Sequence, residues 1–340
     1  MNRKNRMYLI IASLLGVVVL GYQISRISLT SFFAELGNMK FGWLAVAVVC
    51  MLLRWVFEAI ILQGLLKRRQ GHYSFKNAMR VPLIEHLFNA ITPFSTGGQP
   101  AQLLVLAKTG VDAGVAGSVC LMKFVVYQVM IVLNFIGCMI FGFQMIANEM
   151  RELSFFVVLG FGLNLIVVVV LLMLMYCYPL TSWLVDKTLK LLARFMSAEK
   201  LDKLAIETKE KMANFHEESQ YMRKEPKVIG RAVFFTFVEL VFYYLVPYFI
   251  LLGLGVENVN PFQVIIFHAF IILVISLFPI PGGAGGAEYS FNLMFGTFMM
   301  TSSKMVVAVV LWRIITMYMG MVLGVIAMWV KPDMPEKIEQ

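Results

Sequence analysis

The chain has 340 residues, of which 60% are hydrophobic and 14% charged, with a mean hydropathy of +0.80. Soluble globular domains carry about a quarter charged residues, so this composition excludes one. The net charge of +9 sits mainly in loops between apolar runs, the positive-inside pattern of a membrane protein rather than a nucleic-acid footprint.

In chain order, the basic start Asn2–Arg6 leads into an apolar run from Met7 to about Gln23, read as a first span that is retained. A cation-poor loop follows, then a second span from Phe41 to about Leu66 closed by Lys67-Arg68-Arg69. Tyr73 to Ala90 is amphipathic and enters a Gly/Pro-rich loop. Gly110 to about Ala147 is one long span, tilted or broken near Asn134–Gly137, and Ser154 to about Tyr178 is the next. Pro179 to Lys227 is polar, with ten Lys/Arg and eight Asp/Glu. In it Leu201, Leu204, Thr208, Met212 and Phe215 follow a helical period, which predicts one or two amphipathic helices at the membrane surface. Val228 to about Leu252 spans again, Pro261 opens a second broken region, and Lys304 to Val330 is the last span. The four cysteines, Cys50, Cys120, Cys138 and Cys177, fall within predicted spans and show neither a disulfide framework nor metal spacing.

Two loops interrupt the apolar pattern. Pro279-Ile280-Pro281-Gly282-Gly283-Ala284-Gly285-Gly286-Ala287-Glu288 places two prolines, four glycines and an acid at membrane depth. Pro93-Phe94-Ser95-Thr96-Gly97-Gly98-Gln99-Pro100-Ala101-Gln102 aligns with it at an offset of 186 (279 − 93), pairing Pro93 with Pro279, Gly97 with Gly283 and Gln102 with Glu288. Broken backbone survives in lipid only where protein or a water-filled cavity satisfies it. Each loop follows a histidine (His86, His268) and an apolar segment with a mid-helix glutamate (Glu58, Glu239), and each precedes an apolar segment with one cation (Lys123, Arg313). This repetition predicts an all-α polytopic integral membrane protein. It has about six spanning helices plus two re-entrant Gly/Pro-rich helix pairs arranged as an inverted repeat, or eight crossings if the pairs span. The whole of 1–340 is one transmembrane domain. Repeat 1 covers about 41–147, a connector 179–227 and repeat 2 about 228–330, with both termini cytoplasmic.

Ionisable side chains at this depth pair with one another or line a polar path. Arg54 and Glu58, four apart, are spaced to pair locally. Lys123 and Arg313 have no local partner and either bind a substrate anion or pair with Glu58, Glu239 or Glu288 across the bundle. The helices that start after Gly98 and Gly285 aim backbone N–H groups into the cavity, a device suited to phosphate. The candidate substrate-binding residues are therefore Thr92, Pro93, Gly97, Gly98, Gln99, Gln102, Lys123, Pro281, Gly282, Gly283, Gly285, Glu288 and Arg313. Arg54, Glu58, His86, Glu239 and His268 form a charge-pair or proton-relay set, in which the histidines are either hydrogen-bonded packing residues or proton sites. No nucleophile–base order, Walker loop or metal cluster is recognisable, so neither a catalytic residue nor a cofactor is expected.

His86, the run Thr92–Gln102, Lys108-Thr109-Gly110 and Lys123 resemble the first signature of a bacterial membrane family, and Pro279–Glu288 with Trp312-Arg313 resemble the second. This is the lysylphosphatidylglycerol synthase transmembrane-region, or flippase-like (YbhN-type), family. It includes the N-terminal flippase half of the multiple peptide resistance factor. The resemblance implies translocation of a phospholipid or related polar lipid, aminoacyl-phosphatidylglycerol among the candidates, from the inner to the outer leaflet of the bacterial cytoplasmic membrane. In two-domain relatives a soluble C-terminal domain makes that lipid. Only ten residues follow Val330 here, so the expectation is a flippase that lacks that domain, with a separate lipid-modifying synthase as a candidate partner and an oligomer allowed. An ion- or proton-coupled transporter of a small anion and, last, a membrane-embedded phosphatidylglycerol lysyltransferase are the alternatives.

Overall fold

The computed structural model describes residues 28–149, 151–193, 197–298 and 301–333. The expected first span, Met7 to Gln23, lies outside them. The described residues are helical and include no strand. In order, the helices are α1 (Leu29–Gly37), α2 (Phe41–Gln70), α3 (Phe75–Ile91), α4 (Gly98–Lys108), α5 (Ala113–Glu149), α6 (Arg151–Tyr176), α7 (Tyr178–Leu192), α8 (Ala198–Arg223), α9 (Pro226–Gly253), α10 (Pro261–Ile275), α11 (Gly286–Phe295), α12 (Ser302–Arg313) and α13 (Met319–Trp329). Residues Ile314–Tyr318 join α12 to α13 as a π-helical turn. Starts follow local chemistry. Ser74, Asn260 and Thr301 each accept a first-turn N–H, and Pro226 and Pro261 occupy the first turn, where a missing N–H costs nothing.

Five stretches are long and apolar enough to cross a membrane: Phe41–Lys67, Ala113–Gly142, Val157–Tyr176, Pro226–Gly253 and Ser302–Trp329. The protein is thus a multi-pass membrane protein. α5 runs unbroken through Asn134–Gly137, where the sequence allowed a break. Asn134 Nδ2 donates to Met130 O within the helix at 2.8 Å, so its polar group is satisfied without opening the ladder. The polar connector forms two helices, α7 and α8, and His216 of α8 hydrogen-bonds Leu174 O of α6 at 3.2 Å.

The most extensive interface joins α2 to α9, the helices that carry Glu58 and Glu239. α3 packs on α2, α4 and α13, while α10 packs on α9, α11 and α5. The last span is the most enclosed, and α6 is the most peripheral, with Leu159, Leu163 and Ile166 turned outward. Close approach of α13 to α3 depends on glycine. A Cβ on Gly324 would lie 2.5 Å from Leu83 O, and one on Gly320 would lie 2.2 Å from the His86 ring. Beyond α13, Asp333 accepts from Lys76 Nζ at 2.8 Å and Ser74 Oγ at 2.7 Å and exchanges two hydrogen bonds with Asn77. The Lys76 and Ser74 contacts hold the Asp333 carboxyl below the usual aspartate range. This clamp is therefore in place above that range and is lost as pH falls through the lowered value.

Replacing Gly324 with Leu forces α13 off α3. Overpacking of this kind costs about 1–3 kcal/mol. The variant should melt earlier than the parent when heated in detergent and assayed by fluorescence-detected size exclusion; equal melting would mean that the helices do not depend on this contact.

Candidate functional site

The two Gly/Pro loops meet in the middle of the bundle and touch each other. Each is a short 3-10 turn between two helices, Pro93–Ser95 before α4 and Pro281–Gly283 before α11. Over Thr92–Ser95 and Ile280–Gly283 their backbones correspond at an offset of 188 (281 − 93), not the 186 of the sequence alignment, and they diverge at Thr96/Ala284 and Gly97/Gly285. Thr92 and Ile280 are both extended, Phe94 (φ 52°) matches Gly282 (φ 63°), and Ser95 (φ 54°) matches Gly283 (φ 62°). The following helices start in the same register, at Gly98 and Gly286. The sequence alignment slipped by two because Pro279 and Pro281 are interchangeable on paper, whereas only Pro281 precedes the pair of left-handed residues. Phe94 and Ser95 hold without glycine the backbone that glycines supply in the second loop, a strain of about 1–2 kcal/mol each.

The loop N–H groups are partly occupied from within. Gly97 N–H donates to Thr92 Oγ1 at 2.8 Å, and Gly98 N–H donates to Asn89 Oδ1 at 2.9 Å. Gly285 N–H donates to Glu288 Oε2 at 2.7 Å. These three donors serve as internal caps.

The cations on the following helices tie the loops in place. Lys123 of α5 contacts Glu58 of α2, Glu85 Oε2 of α3 at 2.6 Å and Gln102 Oε1 of α4 at 3.2 Å. Arg313 of α12 donates through Nε to Glu288 Oε1 at 2.7 Å and through Nη1 to Gly282 O at 2.9 Å. In each case, then, the cation reaches the polar residue on the helix after its loop. Arg313 and Glu288 are almost wholly buried, at 4% and 3% exposure.

The local Arg54–Glu58 pair expected from spacing is replaced by pairs across helices. Glu58 is taken by Lys123, and Arg54 Nε faces Glu239 Oε1 of α9 at 3.8 Å with its guanidinium 4.1 Å from the Tyr243 ring centre. Pairs between helices form because α5 and α9 bring Lys123 and Glu239 against the α2 face that carries Glu58 and Arg54. His268 is spent on packing. Trp312 Nε1 donates to its Nε2 at 3.1 Å, and its Nδ1 donates to Tyr244 O at 3.3 Å. His86 differs: its Nε2 has no hydrogen-bond partner among the described residues, and neither does Arg54 Nε.

Both of those side chains line a polar space with two adjoining parts. The smaller, of about 100 Å³, is bounded by Glu58, Lys123 and Glu239, and the larger, of about 400 Å³, reaches Phe94 and Ser95 of the first loop and Gly282 and Arg313 around the second. Arg54, Glu85, His86, Asn89, Gln99 and Tyr127 belong to both. Charges on the smaller part are Arg54 and Lys123 against Glu58, Glu85 and Glu239, a formal balance of −1 (2 − 3) with every group ionised. Among the described residues no group of three metal-ligating side chains converges.

Of the expected residues, Arg54, Glu58, His86, Gln99, Lys123, Glu239, Gly282 and Arg313 line this space. Thr92, Gly97, Gly98, Gln102, Gly283, Gly285 and Glu288 lie in or behind the loops as caps and anchors, and Pro93 and Pro281 open the 3-10 turns. The sequence reading missed Glu85, Asn89, Tyr127 and Tyr243. A signal for two of them existed: Pro82, Glu85, His86 and Asn89 recur at i, i+3, i+4 and i+7, one face of the helix.

Two comparisons with known proteins bear on this arrangement. The family model described as "Lysylphosphatidylglycerol synthase TM region" matches residues 9–324. A "UPF0104 membrane protein" of Archaeoglobus fulgidus is 25% identical over 296 residues, which cover 84% of this chain and 86% of the relative.

Removing Lys123 tests the cluster as a structural unit. Lys123→Met leaves Glu58 and Glu85 facing each other without their cation, and breaking a buried pair costs about 3–5 kcal/mol. Its melting temperature in detergent should fall well below the parent's, and Lys123→Met/Glu58→Gln/Glu85→Gln should recover most of the loss. A single variant that melts with the parent would show that the cluster holds nothing together.

Proposed function

Since the chain belongs to the lysylphosphatidylglycerol synthase transmembrane-region family, we propose that it moves a phospholipid or related polar lipid from the inner to the outer leaflet of a bacterial cytoplasmic membrane. The observation that carries this reading is the polar space at the meeting of the two broken loops. A headgroup crossing hydrocarbon needs a polar path, while its tails can stay in lipid. The larger part of the space, at about 400 Å³, suits a headgroup rather than a whole lipid.

The lining offers both signs of charge. Arg54 lines both parts, its Nε makes no hydrogen bond and stands 3.8 Å from Glu239, and a guanidinium is a natural phosphate ligand. The surplus carboxylate among Glu58, Glu85 and Glu239 complements a cationic group such as the amine of an aminoacyl-phosphatidylglycerol. Lys123 and Arg313, already engaged by carboxylates, hold the loops, and a phosphate would compete for them only by displacing Glu85 or Glu288. Over both parts the formal charges cancel, Arg54, Lys123 and Arg313 against Glu58, Glu85 and Glu239 (3 − 3), which suits a headgroup carrying both signs.

We read the two halves as inverted repeats, about 41–147 and 228–330, joined by the connector 179–227. The shared loop backbone, the like position of each cation and the matched packing of α3 on α13 and α10 on α5 support this. Antiparallel α2 and α9 then form the seam between the halves. Alternating access would come from one half rocking on the other, with His86 and Arg54 at the pivot.

The test is a leaflet assay in liposomes that contain fluorescent phosphatidylglycerol or lysyl-phosphatidylglycerol, read with a membrane-impermeant quencher. Exchange should require the protein and should drop about 10-fold or more in Arg54→Gln/Glu239→Gln, a charge-neutral pair whose melting stays near the parent's; loss of a hydrogen bond to a charged group is worth about that factor. Exchange of neither lipid, or an unchanged rate in the double variant, would overturn the reading. Phosphate uptake driven by a pH gradient would move the assignment to a soluble anion.

A further inference from the structure

A second cavity, of about 510 Å³, lies on the α2–α9 seam and shares no lining residue with the central space. It is sided. At one end Lys67 closes the span Phe41–Lys67 and Lys227 opens the span Pro226–Gly253, and Arg231 lies one turn further in, its guanidinium 5.6 Å from the Phe235 ring centre. No acid lines it, and among the described residues none of the three cations has an ion-pair partner. Toward the membrane interior the walls become apolar through Ile60, Ile61 and Phe235. Phe235 stacks on Phe57 at a ring separation of 5.8 Å, which closes this end below the central charge cluster.

From Lys67 to Ile60 is seven residues of helix, about 10 Å of rise. A single-sign charged mouth leading into an apolar trough of that depth matches one ligand chemistry. The ligand has an anionic phosphate at the membrane surface and a hydrocarbon chain below it. Three unpaired cations at the end of two spanning helices also suit the interfacial depth of a lipid phosphate. A free phosphate would use the mouth and leave the trough unfilled; a zwitterionic lipid would bring a cation into a ring of cations.

Gly64 lies in the middle of the trough wall, and a Cβ placed there meets nothing within 4 Å. A side chain at this position therefore grows into the trough without disturbing the helix pair. The α2–α9 seam is the largest interface of the bundle, so a ligand held there contacts both helices that carry the central glutamates.

We propose that this trough is a binding site for an anionic phospholipid, held by Lys67, Lys227 and Arg231 at its phosphate and by Ile60, Ile61 and Phe235 along an acyl chain, separate from the central translocation path. Native mass spectrometry of the full chain in detergent tests it, with dioleoyl-phosphatidylglycerol, dioleoyl-phosphatidylcholine and inorganic phosphate as probes. The expected result is phosphatidylglycerol binding at least about 10-fold tighter than phosphatidylcholine binding, and a weakening by a similar factor in Lys67→Gln/Lys227→Gln/Arg231→Gln. Gly64→Leu keeps all three cations and should melt no earlier than the parent in lipid-free detergent, yet bind phosphatidylglycerol several-fold more weakly. Millimolar inorganic phosphate should not displace the lipid. Equal binding of the two lipids, or phosphatidylglycerol affinity unchanged in the triple variant and in Gly64→Leu, overturns the proposal. Full displacement by inorganic phosphate overturns the lipid identity and leaves an anion site.

Discussion

Everything near the centre of this protein hangs on a charge that hydrocarbon will not tolerate alone. Lys123 sits within a spanning helix and is matched by Glu58, Glu85 and the amide of Gln102, so one ammonium binds four helices at a single point. A lone charge at that depth costs a few kcal/mol even on lenient insertion scales. That cost makes the contact between α2, α3, α4 and α5 obligatory. Arg313 does the same in the second half through Glu288 and the carbonyl of Gly282.

These two anchors explain how broken backbone persists inside the bundle. The carbonyl and N–H groups released by Pro and Gly are taken up by Arg313, Thr92, Asn89 and Glu288. These groups of the loops are taken up from within, and the space between the loops is lined by other side chains. Arg54 and His86 both line it, and their buried Nε and Nε2 atoms make no hydrogen bond among the described residues, Arg54 Nε having only its 3.8 Å ion pair to Glu239. The two cations that look most available in the sequence are in fact the most committed.

The two cavities differ in chemistry. The central space is amphoteric and enclosed by loops, α2, α3, α5 and α9, while the seam trough is cationic at one end and apolar along its length. They are separated by the Phe57–Phe235 stack on the same pair of helices. A lipid resident in the trough would therefore bear on the α2–α9 seam without occupying the path, since Glu58 and Glu239 belong to those helices.

Much of this architecture was legible in the chain. Apolar length alone locates the spans from Phe41 to Trp329, and Pro and Gly at membrane depth locate both loops, because backbone chemistry is local and lipid leaves few alternatives. Residue type also marked Lys123, Arg313, Glu58 and Glu239 as buried charges. The partners were not legible. Spacing favoured Arg54 with Glu58, yet the bundle gives Glu58 to Lys123 and Arg54 to Glu239, since pairing follows which helices touch. Glu85 was lost in an amphipathic run, and its role appears only where α3 meets α5. The loop register shifted from 186 to 188 for the same reason: identity matched prolines, whereas the left-handed backbone at Phe94–Ser95 and Gly282–Gly283 pairs the turns themselves. The sequence by itself determined which groups had to be buried, through the cost of leaving them in hydrocarbon; the tertiary structure decided which of them face one another, because that depends on distances between helices that no local pattern contains.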